Sequence, residues 1–214
     1  MPSQSRPTGK YSWMYRLGYT PWERYRPAAE AQLGSLLDLV AEGRPDGLGR
    51  ALDVGCGRGQ FTPGLARRGW EAVGIDIVPE AIWTARQRSS AEVTYVVGDA
   101  TDLESAGLGL FDLFVDIGCF QGLDAGQRAA EARGVTALAA PGASMLLLAF
   151  GQSRYQRLVE GVSQAQVVAA FQEWELVAVE SADTAGLGWP MNRSSPKWYR
   201  FQRLPREATE AAHG

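Results

Sequence analysis

A chain of 214 residues, 45% apolar and 21% charged, can bury one sizeable core but is too short for two generous ones, which excludes a disordered or fibrous polymer. The net charge of -3, with 19 Arg and 2 Lys scattered along the chain, excludes the strong positive field that a grip on nucleic-acid phosphates requires, although a few arginines remain to meet an anionic small molecule. Met145 to Phe150, the longest purely apolar run, is too short to span a bilayer, and Met1 to Lys10 has no signal-peptide core; the expectation is a cytoplasmic protein with neither a membrane nor a nucleic-acid partner.

Residues 1–10 and 205–214 lack apolar periodicity and read as flexible tails, leaving residues 11–204 as one domain in which residues 11–45 form an N-terminal lid and helix. Pro27 to Val40 places Ala31, Leu33, Leu36, Leu37 and Val40 near helical spacing. Arg50 to Val54 reads as the first strand, followed by a Gly-rich turn and a helix through Leu65. Glu71 to Ile75 reads as the second strand, and the next helix carries Pro79 in its first turn, where the missing N–H costs nothing. Val93 to Val97 and Leu110 to Val115 form the third and fourth strands. The second, third and fourth strands run toward Asp76, Asp99 and Asp116. Helices open at Asp124 and Ser163, each with a Gln three residues later, which is capping-box spacing; Ala143 to Phe150, between them, is the fifth strand. Trp174 to Glu180 and Lys197 to Leu204 have no helix between them and predict an antiparallel hairpin. The alternation of strand and helix before that hairpin is that of a parallel sheet covered on both faces.

The sharpest motif is Ala51-Leu52-Asp53-Val54-Gly55-Cys56-Gly57-Arg58-Gly59, a buried strand ending in three alternate glycines. Glycine suits a tight strand-to-helix turn and lets a ligand approach the backbone, while the helix N-terminus behind it favours a negative group. The pattern reads as a nucleoside site or, more simply, as a structural turn. The third glycine falls at 59 and not at 60, where Gln60 stands, so the spacing leans away from the dinucleotide fingerprint. Asp76, followed by Ile77, can accept both ribose hydroxyls or cap the next helix. Asp99 in Gly98-Asp99-Ala100 can face an adenine amino group while the N–H after it meets a ring nitrogen, or it is an acidic turn residue.

With these residues in place, the chain resembles the class I S-adenosylmethionine (SAM)-dependent methyltransferases, with Asp53 to Gly59 as motif I, Asp76 as the next acid and Gly98-Asp99-Ala100 after it. The resemblance implies a doubly wound, Rossmann-like α/β sheet of seven strands in the order 3-2-1-4-5-7-6, mostly parallel with strand seven antiparallel. It implies SAM as cofactor, a cradle of Asp53, Gly55, Cys56, Gly57, Gly59, Asp76, Ile77, Asp99 and Ala100, and no metal. Tyr15-Arg16-Leu17-Gly18-Tyr19-Thr20-Pro21-Trp22 looks like the entrance segment of the thiopurine, halide/thiol and tellurite-resistance group, where it covers the cofactor and the position of Trp22 contacts it. Its aromatic rings suit a lid and attract a sulfonium, and they equally suit an arm packed on the sheet.

Strand four leads into Asp116-Ile117-Gly118-Cys119-Phe120-Gln121, at the strand-end edge where ligands of such sheets bind. There Asp116 can take a substrate proton or serve the cofactor's amino group, Phe120 can pack a substrate ring, and Gln121 can hydrogen-bond it. Tyr19 is the other candidate base. The loop from Ser181 to Pro196, with Leu187, Trp189, Met191, Asn192 and Arg193, is a second candidate wall. His213 is the only histidine and sits in a tail, so no His-based catalyst or metal site is expected, and Cys56 and Cys119 read as free thiols. The expected function is methyl transfer to an O, N or S atom of a small aromatic or heterocyclic acceptor. The alternatives are a SAM-binding sensor or scaffold without turnover and a nicotinamide-dependent oxidoreductase.

Overall fold

The computed structural model describes residues 25–44, 47–89, 92–153 and 160–205; Tyr19 and Trp22, with the whole segment around them, and His213 lie outside the described residues. The described elements are α1 (Arg26–Glu42), β1 (Arg50–Val54), α2 (Thr62–Ala66), β2 (Glu71–Asp76), α3 (Pro79–Arg88), β3 (Thr94–Val97), β4 (Phe111–Ile117), α4 (Ala125–Ala137), β5 (Ala139–Ala149), α5 (Gln164–Ala170), β6 (Trp174–Ser181) and β7 (Lys197–Arg203). The strands form one sheet in the order β3-β2-β1-β4-β5-β7-β6, parallel through β5 and antiparallel where β7 joins β5 and β6. This is the order that the family resemblance implies and the hairpin read from the sequence.

The pleat sends alternate residues of each strand to two cores. Ala51, Leu113, Leu146 and Leu148 pack with Leu33, Leu36 and Leu37 of α1 and Leu65 of α2. Leu52, Phe114, Met145 and Leu147 pack on the other face with Ala132 and Val135 of α4 and Val167 of α5. Both faces are therefore dry, which is why the central strands read as continuous apolar runs and not as alternating ones. The two capping boxes form as their spacing predicts. Asp124 accepts from Gln127 N–H at 2.9 Å while Gln127 accepts from Asp124 N–H at 3.0 Å, and Ser163 and Gln166 repeat the exchange.

Two features go beyond the sequence reading. Strand β5 begins at Ala139, before Pro141 and Gly142, because Ala139 pairs with Phe111 across an irregularity in the β4 register. The β3–β4 connection folds as two short 3₁₀ turns, Ala100–Asp102 and Glu104–Ala106, with fully buried Leu103 between them packing beside Gly134 of α4. No helix among the described residues is long and apolar enough to cross a membrane.

Candidate functional site

Three glycines set the shape of the turn after β1. Gly55, Gly57 and Gly59 have φ of +67°, +55° and +70°, in the left-handed region that side chains disfavour. Space forbids a side chain as well. A Cβ on Gly55 would sit 2.6 Å from Cβ of Cys119, and one on Gly59 would run into the Tyr95 hydroxyl and lie 3.0 Å from Cβ of Ala85. The turn is thus clamped between the loop after β4 and the α3–β3 layer. Cys56 N–H donates to Ile75 O at 3.0 Å, and Gly57 N–H donates to Asp76 Oδ2 at 2.9 Å, which ties the turn to the end of β2. The Cys56 thiol is buried and held well above the usual thiol range, first by burial and then by the charges of Asp53 and Asp76, so it packs as a neutral group.

Asp76 does two jobs at once. Its Oδ1 accepts from Val78 N–H at 2.8 Å at the entry to α3, and its Oδ2 accepts from Gly57. A carboxylate has about four acceptor positions, so one remains on each oxygen, which is what two ribose hydroxyls need. Burial raises its pKa and the two N–H bonds oppose that rise. Asp99 accepts from Thr101 N–H at 2.8 Å and Thr101 Oγ1 at 2.7 Å, both through Oδ1; Oδ2 has no partner among the described residues. Ile77 and Ala100, beside these acids, are half-buried and reachable.

Asp53 lies deeper, under the turn. It is 2% exposed, accepts from Thr62 Oγ1 at 2.6 Å, and so braces β1 against α2. Burial pushes its pKa up to about 7, with the charges of Asp116 and Asp76 adding and the Thr62 hydrogen bond opposing. Thr62 and Tyr95 carry this architecture, and neither stands out in the sequence. Three acids crowded beneath a polar turn favour a ligand with a cationic group. A cavity of about 270 Å³ adjoins Gly59 and Gln60 and is lined by Arg26, Arg58, Arg67 and Arg88, which favours an anionic one. The residues present therefore fit a zwitterionic nucleoside ligand such as SAM.

The loop after β4 is held from four directions. Asp116, fully buried, accepts from Cys119 N–H and Phe120 N–H, each at 2.9 Å. Arg128 of α4 donates to Phe120 O at 3.0 Å and to Gln121 O at 2.8 Å. Gln121 accepts from Phe150 N–H at the end of β5. Phe120 points into the core, fully buried, its ring 5.6 Å from that of Phe171. Neither Arg128 nor Glu131, which also packs here, was picked out in the sequence. Glu131 had a signal, since an acid stands at helical spacing with Gly134, Val135 and Leu138 on an otherwise apolar face.

The second wall divides. Leu187 is buried in the α1-side core and Met191 packs against that core, whereas Trp189 is 63% exposed and Asn192 and Arg193 are exposed. Cys56 and Cys119 are both free thiols, as expected.

Residues 51–142 match the family model described as "Methyltransferase domain". The chain is 34% identical over 176 residues to nodulation protein S of Rhizobium tropici, covering 80% of this chain and 69% of that protein. It is 30% identical over 145 residues to 2-heptyl-1-hydroxyquinolin-4(1H)-one methyltransferase of Mycobacteroides abscessus; the match covers 66% of this chain and spans 60% of that relative's length. Its fold is that of the N-methyltransferase NodS from Bradyrhizobium japonicum, solved with S-adenosyl-L-homocysteine, at a TM-score of 0.67, 24% identity and coverage of 88% of this chain and 91% of that one. The glycine turn, the acids at successive strand ends, the sheet order and these likenesses agree: the chain belongs to the class I SAM-dependent methyltransferase family.

Proposed function

We propose that the protein transfers a methyl group from SAM to an O, N or S atom of a small aromatic or heterocyclic molecule. The observation that carries this is the cradle at the ends of β1 to β3, where the left-handed turn of Gly55, Gly57 and Gly59, with no side chain at those positions, is tied to Asp76, which keeps one acceptor position on each oxygen. The mycobacterial relative is named for a hydroxyquinolone, which supports a heterocyclic acceptor. The segment Gly18 to Trp22 supports a kinship with the thiopurine and tellurite-resistance group, with Trp22 covering the cofactor.

When bound, SAM supplies an electrophilic methyl on a sulfonium that departs as a neutral thioether, so alignment and exclusion of water account for most of the rate. The chain does both. Asp76 and the turn fix the nucleoside end, and the braced loop of residues 118–122 forms a rigid wall beside it. Gln121 has its oxygen on Phe150 N–H, which leaves its NH₂ to donate to an acceptor. Asp116 acts through the loop it holds, with room in its lone pairs for the cofactor's amino group. Tyr19, in the N-terminal arm, is the proton acceptor for a phenol or amine; a thiolate or another soft anion needs none.

The test is calorimetry with SAM and with NADH, followed by turnover of methyl-labelled SAM against thiols, halides, phenols and heterocyclic amines. Micromolar or tighter SAM binding and label in one acceptor class are expected. NADH binding without SAM binding would remove the reading, and SAM binding with silence across the panel would leave a sensor or scaffold.

A further inference from the structure

Glu131 of α4 is the least explained side chain in the described molecule. It is completely buried, and neither carboxyl oxygen has a partner at ordinary hydrogen-bond geometry among the described residues; the polar group that faces it is the Asp116 carboxyl, to which a protonated Glu131 would donate. Its carboxyl, the Asp116 carboxyl and the Cys119 thiol offer oxygen and sulfur atoms that all lie within 4.8 Å of one another. Two adjacent carboxylates in a dry interior are costly, and a buried group of this kind takes up a proton or a cation instead of keeping its charge.

The hydrogen bonds decide which carboxyl is charged. Asp116 accepts from Cys119 and Phe120 N–H, an arrangement that stabilises an anion, and Glu131 has no such donor. We propose that Glu131 is a positioning residue for the loop of residues 118–122: a neutral carboxylic acid that keeps the pair at a single negative charge, so that Asp116 stays anionic on its two N–H donors and the loop keeps its shape. The surrounding groups agree. Burial raises the pKa of both carboxyls; the Asp116 charge and the bond to Asp116 raise Glu131 further, whereas the bond from Glu131 and the backbone N–H groups of Phe120 and Cys119 oppose the rise at Asp116. Arg128, on the same helix, opposes the rise at Glu131, but its guanidinium is committed to Phe120 O and Gln121 O. Cys119 is pushed well above the thiol range by burial and then by Glu131, Asp116, Asp76 and Asp99, so it stays a neutral thiol. Asp53, which feels Asp116, adds further negative charge on the β1 side. A divalent cation is the competing way to neutralise the pair. It would have to strip the proton from that thiol and take Asp116 from its backbone donors, so the proton is the simpler occupant.

The loop's place beside an acceptor rests on the methyltransferase reading above; the protonation of Glu131 does not. Infrared spectra of the full chain at pH 8 are expected to show a protonated-carboxyl C=O band that is absent in Glu131→Gln. Because the Glu131 pKa is raised by folding, its stabilising contribution is present at low pH and lost as pH rises through the folded value. The wild-type Tm is therefore expected to fall as pH rises above the ordinary glutamate range, and Glu131→Gln to lose that part of the slope. Gln, a neutral isostere, is expected to hold the loop and keep KM for the acceptor within about threefold, whereas Glu131→Ala raises it further. If Glu131→Gln fails to fold, the wild-type band titrating above pH 8, and shifting to lower pH in Asp116→Asn, carries the same test. An unchanged band in Glu131→Gln, or one equivalent of divalent metal in the purified chain that this substitution releases, overturns the proposal. Calorimetric SAM binding is measured alongside. Its absence in the wild type would sink the cofactor reading while leaving the Glu131 band as it is.

Discussion

The cradle at the ends of β1 to β3 and the loop after β4 lie at the same edge of one sheet and are built in opposite ways. The cradle takes its shape from left-handed backbone that its own strand-end acids hold in place. Its glycines take left-handed φ, Asp53 reaches Thr62 nine residues on, and Asp76 holds Gly57 and Val78. The loop is held by side chains from other elements, namely Gln121 on Phe150 N–H and Arg128 across two carbonyls, with Glu131 beneath. A cofactor common to a family asks for the first kind of construction. An acceptor specific to one member is met by the second, where one substitution on a helix changes the wall and leaves the cradle intact.

The contrast breaks most clearly at Asp53. Its carboxyl titrates near 4 in the unfolded chain and about 7 when folded, so the folded state holds the extra proton between those values and stability falls as pH rises through that window. Asp53→Asn, which cannot ionise, is expected to lose the Asp53 part of the slope over pH 5 to 8, leaving the part due to the other raised carboxyls, and to be more stable than wild type at pH 8 by roughly 3–4 kcal/mol, on the order of 10 °C in Tm. Thermal melts at each pH decide it; parallel slopes would deny Asp53 its raised pKa. SAM affinity has the opposite sign, because a cationic ligand prefers the ionised carboxyl, and is expected to strengthen from pH 6 to 8 in the wild type.

Next in size, if Asp76 holds the ribose as proposed, Asp76→Ala removes two charge-assisted hydrogen bonds and is expected to weaken SAM by about 3 kcal/mol, or a hundredfold, in calorimetry. Binding equal to wild type would take Asp76 out of the cradle. Gly59→Ala forces a side chain into left-handed backbone against the Tyr95 hydroxyl and should destabilise by about 2 kcal/mol. Adding Tyr95→Phe removes the closest contact but leaves the ring carbon at 2.8 Å, Ala85 Cβ at 3.0 Å and the backbone strain, so denaturant melts of the double variant should recover only part of that loss. Full additivity would mean that the two residues do not meet.

The loop half predicts a different signature. Arg128→Met removes two hydrogen bonds to carbonyl oxygens and should cost about 1 kcal/mol in kcat/KM for the acceptor, roughly fivefold, with SAM affinity unchanged. A matching loss of SAM affinity would erase the distinction between the two halves.

Legibility follows the same divide. Cradle positions stand out in the sequence because left-handed φ narrows the choice to glycine and because strand ends announce themselves by where apolar runs stop. Both capping boxes were visible for a similar reason, since a side chain bonding three residues away leaves a spacing. Phe120 shows the limit. Its place in a loop suggested a substrate contact, while packing against Phe171, 51 positions along, buries it completely. Asp116 was visible as an acid at a strand end, but its two N–H donors and its buried neighbour were not.

The strands, the antiparallel ending and the glycine-and-acid edge were readable in the residues alone, because hydrophobic period, left-handed turns and caps are properties of a few neighbouring residues; the strand order was readable only through the family resemblance those residues carry. Only the tertiary structure decided that Thr62 braces Asp53, that Leu187 turns inward, and that Glu131 meets Asp116. Those contacts depend on which distant residues the sheet and helices bring together, and on how much water is left between them.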